Sequence, residues 1–371
     1  VQTTSIRSLA MQAAPGATPP ERLEVLRSGL PPQAIGVSDQ TGQRWPYMSR
    51  RRPDTTASFW ADMAAVAEDA LNAADLSDHA RATLPVLLGS TCLDMPDLEA
   101  ALHSQPQAPA LMNAHCGRTL DQLATELGLG GPQFTLSTAC SSAANALLHA
   151  RRLLVAGRAE HVLVIGTEFY NRLTLSGFAS LLLLSPDTFR PFDADREGLI
   201  LGEAVGAMVL SRQPRDRGDL GRLLGGATGC DPSSPTNSSP EFLVRIMQQA
   251  LDDAGLTTDD LLAIKAHGTG TPSNDAAEGA ALDRLFGNRH PVTSLKPYFG
   301  HTLGACGLVE LAGLLEAWSA GFLPATPGFR TLGSGEQMTP ITQPHPLPAE
   351  GAVLCNSFGF GGNTTSLVVA R

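Results

Sequence analysis

Cys140 lies in the run TLSTACSSAANALLHARRLLV (135–155). There a β-prone segment, residues 134–138, gives way to small residues and then to a helix whose Ala143, Ala144, Leu147, Leu148 and Leu154 recur at helical spacing. A cysteine at a strand-to-helix turn faces first-turn amides and the positive end of the helix dipole. Both favour thiolate over thiol, and the thiolate is the sulfur nucleophile of acyl chemistry. Ser141 and Ser142 suit the helix start, with hydroxyls able to accept from those amides. Read alone, the stretch equally fits a small buried cysteine behind a strand.

Three further turns present polar groups after apolar, strand-like runs: His267 in KAHGTGTP, Lys296 and His301 in SLKPYFGHTLGACG, and Phe358 to Gly362 in NSFGFGG. Turns at strand ends are where α/β proteins place their sites, and glycine flanks let a backbone approach a ligand closely. A lone histidine is more often structural, but a cysteine with two histidines on separate glycine-flanked turns fits nucleophilic acyl transfer. HGTGT lacks the order of a phosphate-binding loop, and GFGG is too short for a dinucleotide fingerprint; GFGG reads either as a turn aiming its N–H groups into a site or as an ordinary turn between strands. The chain has two lysines, Lys265 and Lys296, against two dozen arginines, which suggests that a compact ammonium is needed at those places.

The elements that must hold these turns alternate. Strands are expected at 84–89, 161–166, 203–210, 261–266, 292–295, 353–356 and 365–369. Helices are expected at 20–28, 56–73, 97–102, 119–127, 274–285 and 304–320, with a strong one carrying Phe242, Leu243, Ile246, Met247, Ala250, Leu251 and Ala254. Strand–turn–helix units appear in both halves, so the fold class is α/β with a plausible internal duplication, the second half opening near Gly225. The 371 residues are 43% hydrophobic, a globular composition long enough for two domains or one large two-part domain. No apolar run reaches membrane-spanning length, and the first twenty residues lack the pattern of a signal peptide. Six cysteines without C-x-x-C spacing point to a reduced, cytoplasmic protein with no metal site. A net charge of −10 argues against nucleic acid, while Arg50, Arg51 and Arg52 read either as a solvated turn or as a landing site for an acidic partner.

In this order and spacing, STACSS, RPFDADREGLILGE, AHGTGTP, LKPYFGHT and NSFGFGG resemble the β-ketoacyl-acyl carrier protein synthases, the elongating Cys-His-His ketosynthases of the thiolase superfamily. The resemblance runs from about Leu84 to the C-terminus. It implies a five-layer αβαβα thiolase fold built from two similar halves: 1–222 with the nucleophilic cysteine and 223–371 with the two catalytic histidines. The expected assembly is a homodimer or a ketosynthase/chain-length-factor heterodimer. It further implies Cys140 as nucleophile, His267 and His301 as catalytic histidines, Lys296 as the lysine before the second histidine, and Glu278 as the carboxylate holding that lysine. Thr269 and Thr271 would contact a phosphopantetheine arm. Phe360 would be the gating residue, its N–H joining that of Cys140 in an oxyanion hole.

The implied reaction is a decarboxylative condensation. Cys140 takes an acyl chain from acyl carrier protein, malonyl on a second carrier loses CO₂, and neutral His267 and His301 donate to the resulting enolate, with no cofactor or metal. Losing one oxyanion donor typically costs about 3–4 kcal/mol of barrier. Two departures stand out. Nothing in residues 1–20 matches the family's opening strand, so the first part reads as shortened or diverged; and Asn363-Thr364 follows GFGG where the family reads Thr-Asn, which is expected to change how the gating loop is held. Competing readings are a non-catalytic chain-length partner, a coenzyme A-dependent thiolase and a pure carrier-protein binding module. The first usually lacks the cysteine. The second needs another cysteine in the C-terminal glycine loop, where this chain reads GFGG with Cys355 ahead of it. The third has no use for the Cys/His/His/Lys set.

Overall fold

A computed structural model describes residues 4–50, 59–104, 118–215, 218–234, 236 and 238–371. Ten strands form one sheet: β1 (Thr4–Ala13), β2 (Val86–Gly89), β3 (Gln133–Leu136), β4 (His161–Glu168), β5 (Ala204–Ser211), β6 (Gly221–Cys230), β7 (Leu261–Lys265), β8 (Val292–Thr293), β9 (Ala352–Phe358) and β10 (Asn363–Ala370). The spatial order is β8-β7-β9-β10-β6-β1-β5-β4-β2-β3. Outward from the seam between β1 and β6, the first half runs β1-β5-β4-β2-β3 and the second β6-β10-β9-β7-β8, the same order shifted by five. The strand directions repeat as well: the two pairs nearest the seam are antiparallel and the two outermost are parallel. This is the internal duplication, invisible as sequence identity and plain as topology. The halves join where β1 pairs antiparallel with β6, through Thr4–Leu223, Ser5–Arg222 and Ile6–Gly221.

Both faces of both half-sheets are covered, which is why their strands read as near-continuous apolar runs. Val162 and Val164 of β4 face a central core, while Leu163 and Ile165 face an outer one. In the second half Leu367 and Val369 of β10 face the same central core and Val368 faces the other outer layer. Helices α2 (Ser142–Val155) and α6 (Cys306–Ser319) fill the centre. Helix α1 (Phe59–Ala74) covers one outside face, and α4 (Pro240–Ala254) with α5 (Pro272–Phe286) covers the other. The result is five layers, αβαβα. The seven apolar residues expected to line α4 are all buried; the helix starts at Ser239, whose hydroxyl accepts from the Phe242 N–H, and ends at left-handed Gly255. Helix α2 departs from the expected one-sided pattern: it is buried nearly all round, as a helix between two sheets must be. It meets α6 closely, and a Cβ at Gly307 would lie 2.7 Å from the Ala144 backbone nitrogen.

The expectation of a missing opening strand is overturned. β1 is ten residues long and lies mid-sheet, hydrogen-bonded to both halves. Its buried polar residues hid it: Thr4 Oγ1 donates to Leu223 O and Ser8 Oγ to Ala70 O of α1, so both are satisfied inside the core. Arg50 is not a free landing site either. Its side chain is buried, ion-paired with Asp62 at 2.5 Å and stacked over Phe169. Arg51, Arg52 and Cys116 lie outside the described residues. Among the described residues no helix is long and apolar enough to cross a membrane.

Candidate active site

The reactive residues lie in turns that follow strands of the sheet. After β3 the chain turns sharply through Ala139, a non-glycine residue in the left-handed region at φ 51°, and delivers Cys140 to the head of α2. The turn stores strain that its hydrogen bonds hold in place. Ser141 Oγ donates back to Thr138 O, Ser142 Oγ donates to Ala139 O and accepts from the Thr138 N–H, and Asn145 Nδ2 reaches Thr138 Oγ1. The serines therefore brace the turn instead of capping the helix as expected. The thiolate expectation is corrected too. Burial pushes the Cys140 thiol well above its ordinary range, with Cys306 and Glu168 adding to the rise; Lys296 and the Phe360 N–H pull the other way. Burial thus favours the thiol over the expected thiolate, and a base is then needed to take its proton.

His267 follows β7 directly. The Glu278 carboxylate of α5 accepts the His267 and Gly268 N–H groups, each at 2.8 Å, and Asp275 accepts those of Thr269 and Gly270 at 2.9 and 3.0 Å. Two carboxylates near the start of one helix thus clamp the HGTGT turn. Burial, against those bonds, raises Glu278 to about 7. His301 enters from the opposite side: its N–H donates to Ile200 O at 2.7 Å, and its carbonyl accepts from Gly202. Its Nδ1 accepts from the Leu303 N–H at 3.2 Å, so the ring proton belongs on Nε2. The Leu303–Ala305 turn is stitched to the first half by Glu168, which accepts from Gly304 and from Thr91 and Cys92. The two imidazoles meet edge to face with centroids 5.5 Å apart. Burial lowers both well below the ordinary histidine value, and Lys296 and Lys265 lower them further, so both are neutral at physiological pH.

Lys296 does not pair with Glu278. Its ammonium donates to Glu310 Oε1 at 2.6 Å, while Lys265 takes Oε2 of the same carboxylate at 2.6 Å and Asn356 O at 2.8 Å. The physical reason is direction: the carboxylate of Glu278 is aimed at the HGTGT backbone, whereas Glu310 projects from α6 in the central layer. Burial disfavours the Lys296 ammonium, yet Glu310 leads the contacts that leave its pKa above the ordinary lysine value. Both lysines of the chain are therefore buried at this site.

Phe360 opens a short 3₁₀ turn, Phe360–Gly362, between β9 and β10, and lines the same cavity as Cys140. Asn363 fastens the turn: its side-chain amide donates to Phe360 O at 3.1 Å and its carbonyl accepts from the Gly359 N–H at 2.6 Å. Gly362 has φ 74°, and a Cβ there would lie 2.0 Å from Asp231 O. The Phe360 ring stacks on Phe178 of α3 (Arg172–Ser180) with centroids 5.7 Å apart. One cavity gathers Cys140, His267, His301 and Phe360. Part of its wall is apolar, with Phe178, Leu181, Leu183 and Leu199; the rest is polar, with Thr269, Thr271, Ser273, Asn274 and Ser238.

Reading the sequence found Cys140, both histidines, Lys296, Thr269, Thr271 and Phe360, and the fold brings all of them to this site. It singled out Lys265 as a needed ammonium without giving it a partner, assigned Glu278 the wrong partner, and missed Glu310, Asp275, Glu168 and the strained Ala139. Glu310 left a signal: a lone carboxylate in the apolar run GLVELAGLLEAW needs a buried cation, and the chain has only two lysines.

Two family models match the chain: "Beta-ketoacyl synthase, N-terminal domain" over residues 35–215 and "Beta-ketoacyl synthase, C-terminal domain" over 220–330. Nodulation protein E of Rhizobium sp. (strain N33) is 34% identical over 217 residues, 56% of this chain and 54% of its own length. The 3-oxoacyl-[acyl-carrier-protein] synthase 2 of Synechocystis sp. is 33% identical over 264 residues, 67% of this chain and 64% of its own length. The aligned region thus spans just over half to just under two thirds of these curated relatives. A chain from the complex of a ketosynthase with its chain length factor from Xenorhabdus doucetiae superposes with a TM-score of 0.86 at 27% identity, covering 99% of this chain and 98% of that one.

Proposed function

The chain belongs to the β-ketoacyl synthase family of the thiolase superfamily, and from that premise we propose that it is a condensing enzyme, joining an acyl chain held on Cys140 to malonyl on acyl carrier protein. The observation that carries this reading is the convergence of one thiol and two neutral imidazoles in a single cavity walled in part by the Phe360 turn. In the first step an imidazole takes the Cys140 proton, the sulfur attacks the acyl thioester, and the carrier thiol leaves with a proton. The Phe360 N–H, with that of Cys140, serves the oxyanion of the tetrahedral intermediate. Malonyl-carrier then enters along the polar wall near Thr269 and Thr271 and loses CO₂. His301 Nε2–H, fixed by the Leu303 N–H, donates to the enolate oxygen, and His267 supplies the second donor. The enolate carbon attacks the Cys140 thioester, the sulfur leaves, and the 3-oxoacyl chain departs two carbons longer on the carrier. Lys296 and Glu278 hold this arrangement in place. The apolar wall of Phe178, Leu181, Leu183 and Leu199 suits a hydrocarbon-like chain, as in fatty acid, polyketide or polyene synthesis.

The reading includes a two-part chain divided at 222/223, beside the seam where β6 starts, and a reducing cytoplasmic setting, supported by unpaired cysteines at 92, 140, 230, 306 and 355. It also includes a dimer. β3 lies at the outer end of the sheet with Phe134 exposed, ready to continue into a second subunit. The Xenorhabdus complex makes a chain-length-factor-like partner the alternative to a second copy. The test is incubation with acyl-carrier and malonyl-carrier, with intact-mass detection. The expected results are an acyl adduct on Cys140, absent in Cys140→Ala, and a 3-oxoacyl-carrier product. His301→Leu should lose malonyl decarboxylation by about a hundredfold or more; wild-type decarboxylation in that variant, or an adduct at another residue, would contradict the assignment.

A further inference from the structure

Lys265 ends β7, two residues before His267, and points into the central layer. It is almost completely buried, as are Lys296 and Glu310. One carboxylate thus serves two ammonium groups, an arrangement in which the charges do not cancel. The Lys265 ammonium also donates to Asn356 O, and the Asn356 side-chain amide reaches the Glu278 oxygen at 3.2 Å. Lys265 therefore links the pair Lys296–Glu310 to the carboxylate that clamps the His267 backbone.

We propose that Lys265 is a positioning residue of the condensation: by occupying one oxygen of Glu310 it leaves Lys296 incompletely neutralised, so that a net positive charge lies beneath the two imidazoles. The inference rests on the condensing-enzyme reading above. In a buried, low-dielectric site such a charge acts over several ångströms. It favours the malonyl carboxylate before CO₂ leaves and the enolate afterwards, and it disfavours a second cation on either ring. The other ionisable groups around the rings are three thiols and three carboxylates, and the carboxylates are directed at backbone N–H donors. Cys140, Cys306 and Cys355 are held as thiols by burial. Burial raises Glu168, Asp275 and Glu278, and each carboxylate is engaged by N–H donors. Both lysines lower the basicity of both rings. With the Lys265 charge removed, the imidazoles become easier to protonate, and the base that activates Cys140 is lost at a higher pH.

Two variants separate charge from packing. Lys265→Gln can still hydrogen-bond to Glu310 and Asn356 O but carries no charge; Lys265→Met removes both. The measurements are the pH profile of Cys140 acylation and the rate of malonyl-carrier decarboxylation on its plateau. In Lys265→Gln the acid limb should move to higher pH and decarboxylation should fall roughly tenfold, with the melting temperature near that of wild type. Lys265→Met, where folded, should show the same displaced limb. A Lys265→Gln protein with the wild-type limb and rate overturns the proposal. So does one that loses activity equally at every pH together with its melting temperature, since that is the mark of a packing role alone. A wild-type protein that neither acylates Cys140 nor decarboxylates malonyl-carrier refutes the condensing-enzyme reading instead, so the two failures are distinguishable.

Discussion

Replacing Glu310 with glutamine tests the buried charge arrangement most directly. The glutamate side chain is fully buried and each oxygen accepts an ammonium at 2.6 Å. The amide matches the carboxylate in shape, but its NH₂ group must face one of the two ammonium donors, and the single balancing charge is gone. The protein can escape by shedding a lysine proton. Deprotonating an ordinary lysine at pH 7 costs about 4–5 kcal/mol, which sets the scale. Breaking a buried ion pair by removing one partner costs about 3–5 kcal/mol by measurement elsewhere. Glu310→Gln should therefore lose about 4 kcal/mol at pH 7, a large part of a typical folding stability of 5–15 kcal/mol. The sign of its pH dependence follows. The variant's lysines give up protons that the unfolded chain retains, so its stability should recover by about 1.4 kcal/mol per pH unit per lysine released as pH rises from 7 toward 10. Urea unfolding of wild type and variant across that range is the assay. A variant that unfolds at the wild-type urea concentration at pH 7, or whose deficit stays constant to pH 9.5, would refute the reasoning.

Three further expectations are open to test. In the resting protein iodoacetamide should modify exposed Cys230 before Cys140, because burial holds Cys140 as a thiol, whereas an acyl thioester should load Cys140 first; peptide mapping after brief labelling distinguishes the two. Gly362→Ala, which places a methyl 2.0 Å from Asp231 O at a left-handed position, should displace the Phe360 turn and lower both acylation and stability, the latter by about 1–3 kcal/mol in urea. His267 and His301 stay neutral in the fold while the unfolded chain protonates them below about pH 6.5. Their contribution is present above that pH and is lost as pH falls, at up to about 2.7 kcal/mol per unit for the pair, and His→Asn variants should flatten the acid slope of stability by that amount.

What could be read from the chain was whatever local chemistry enforces. The cysteine turn and the HGTGT and GFGG turns were legible because a strand ending in small residues has few other uses. The helix 240–254 was legible because its seven apolar positions keep the helical period. β6 was not, because its glycines read as loop. They are there because side chains and helices press on both faces of the strand: a Cβ at Gly225 would meet the Ala254 backbone nitrogen of α4 at 2.5 Å, and one at Gly226 the Leu148 side chain of α2 at 3.0 Å. β1 was missed because satisfied buried hydroxyls look like surface. The partner of Lys296 was misassigned because helical periodicity fixes which face a carboxylate occupies, not which distant group it meets. Glu278 and Glu310 are equally buried, and only the tertiary arrangement divides backbone clamping from lysine pairing between them.

The seam through β1 also bears on how the molecule comes into being. β1 finds its neighbours only after some two hundred further residues of the chain: Ser5 lies opposite Ser211 on one side and Thr4 opposite Leu223 on the other. Closing loops of that length is slow, and until it happens each half-sheet has a raw inner edge. β1 thus acts as a late-fitting key between the two halves.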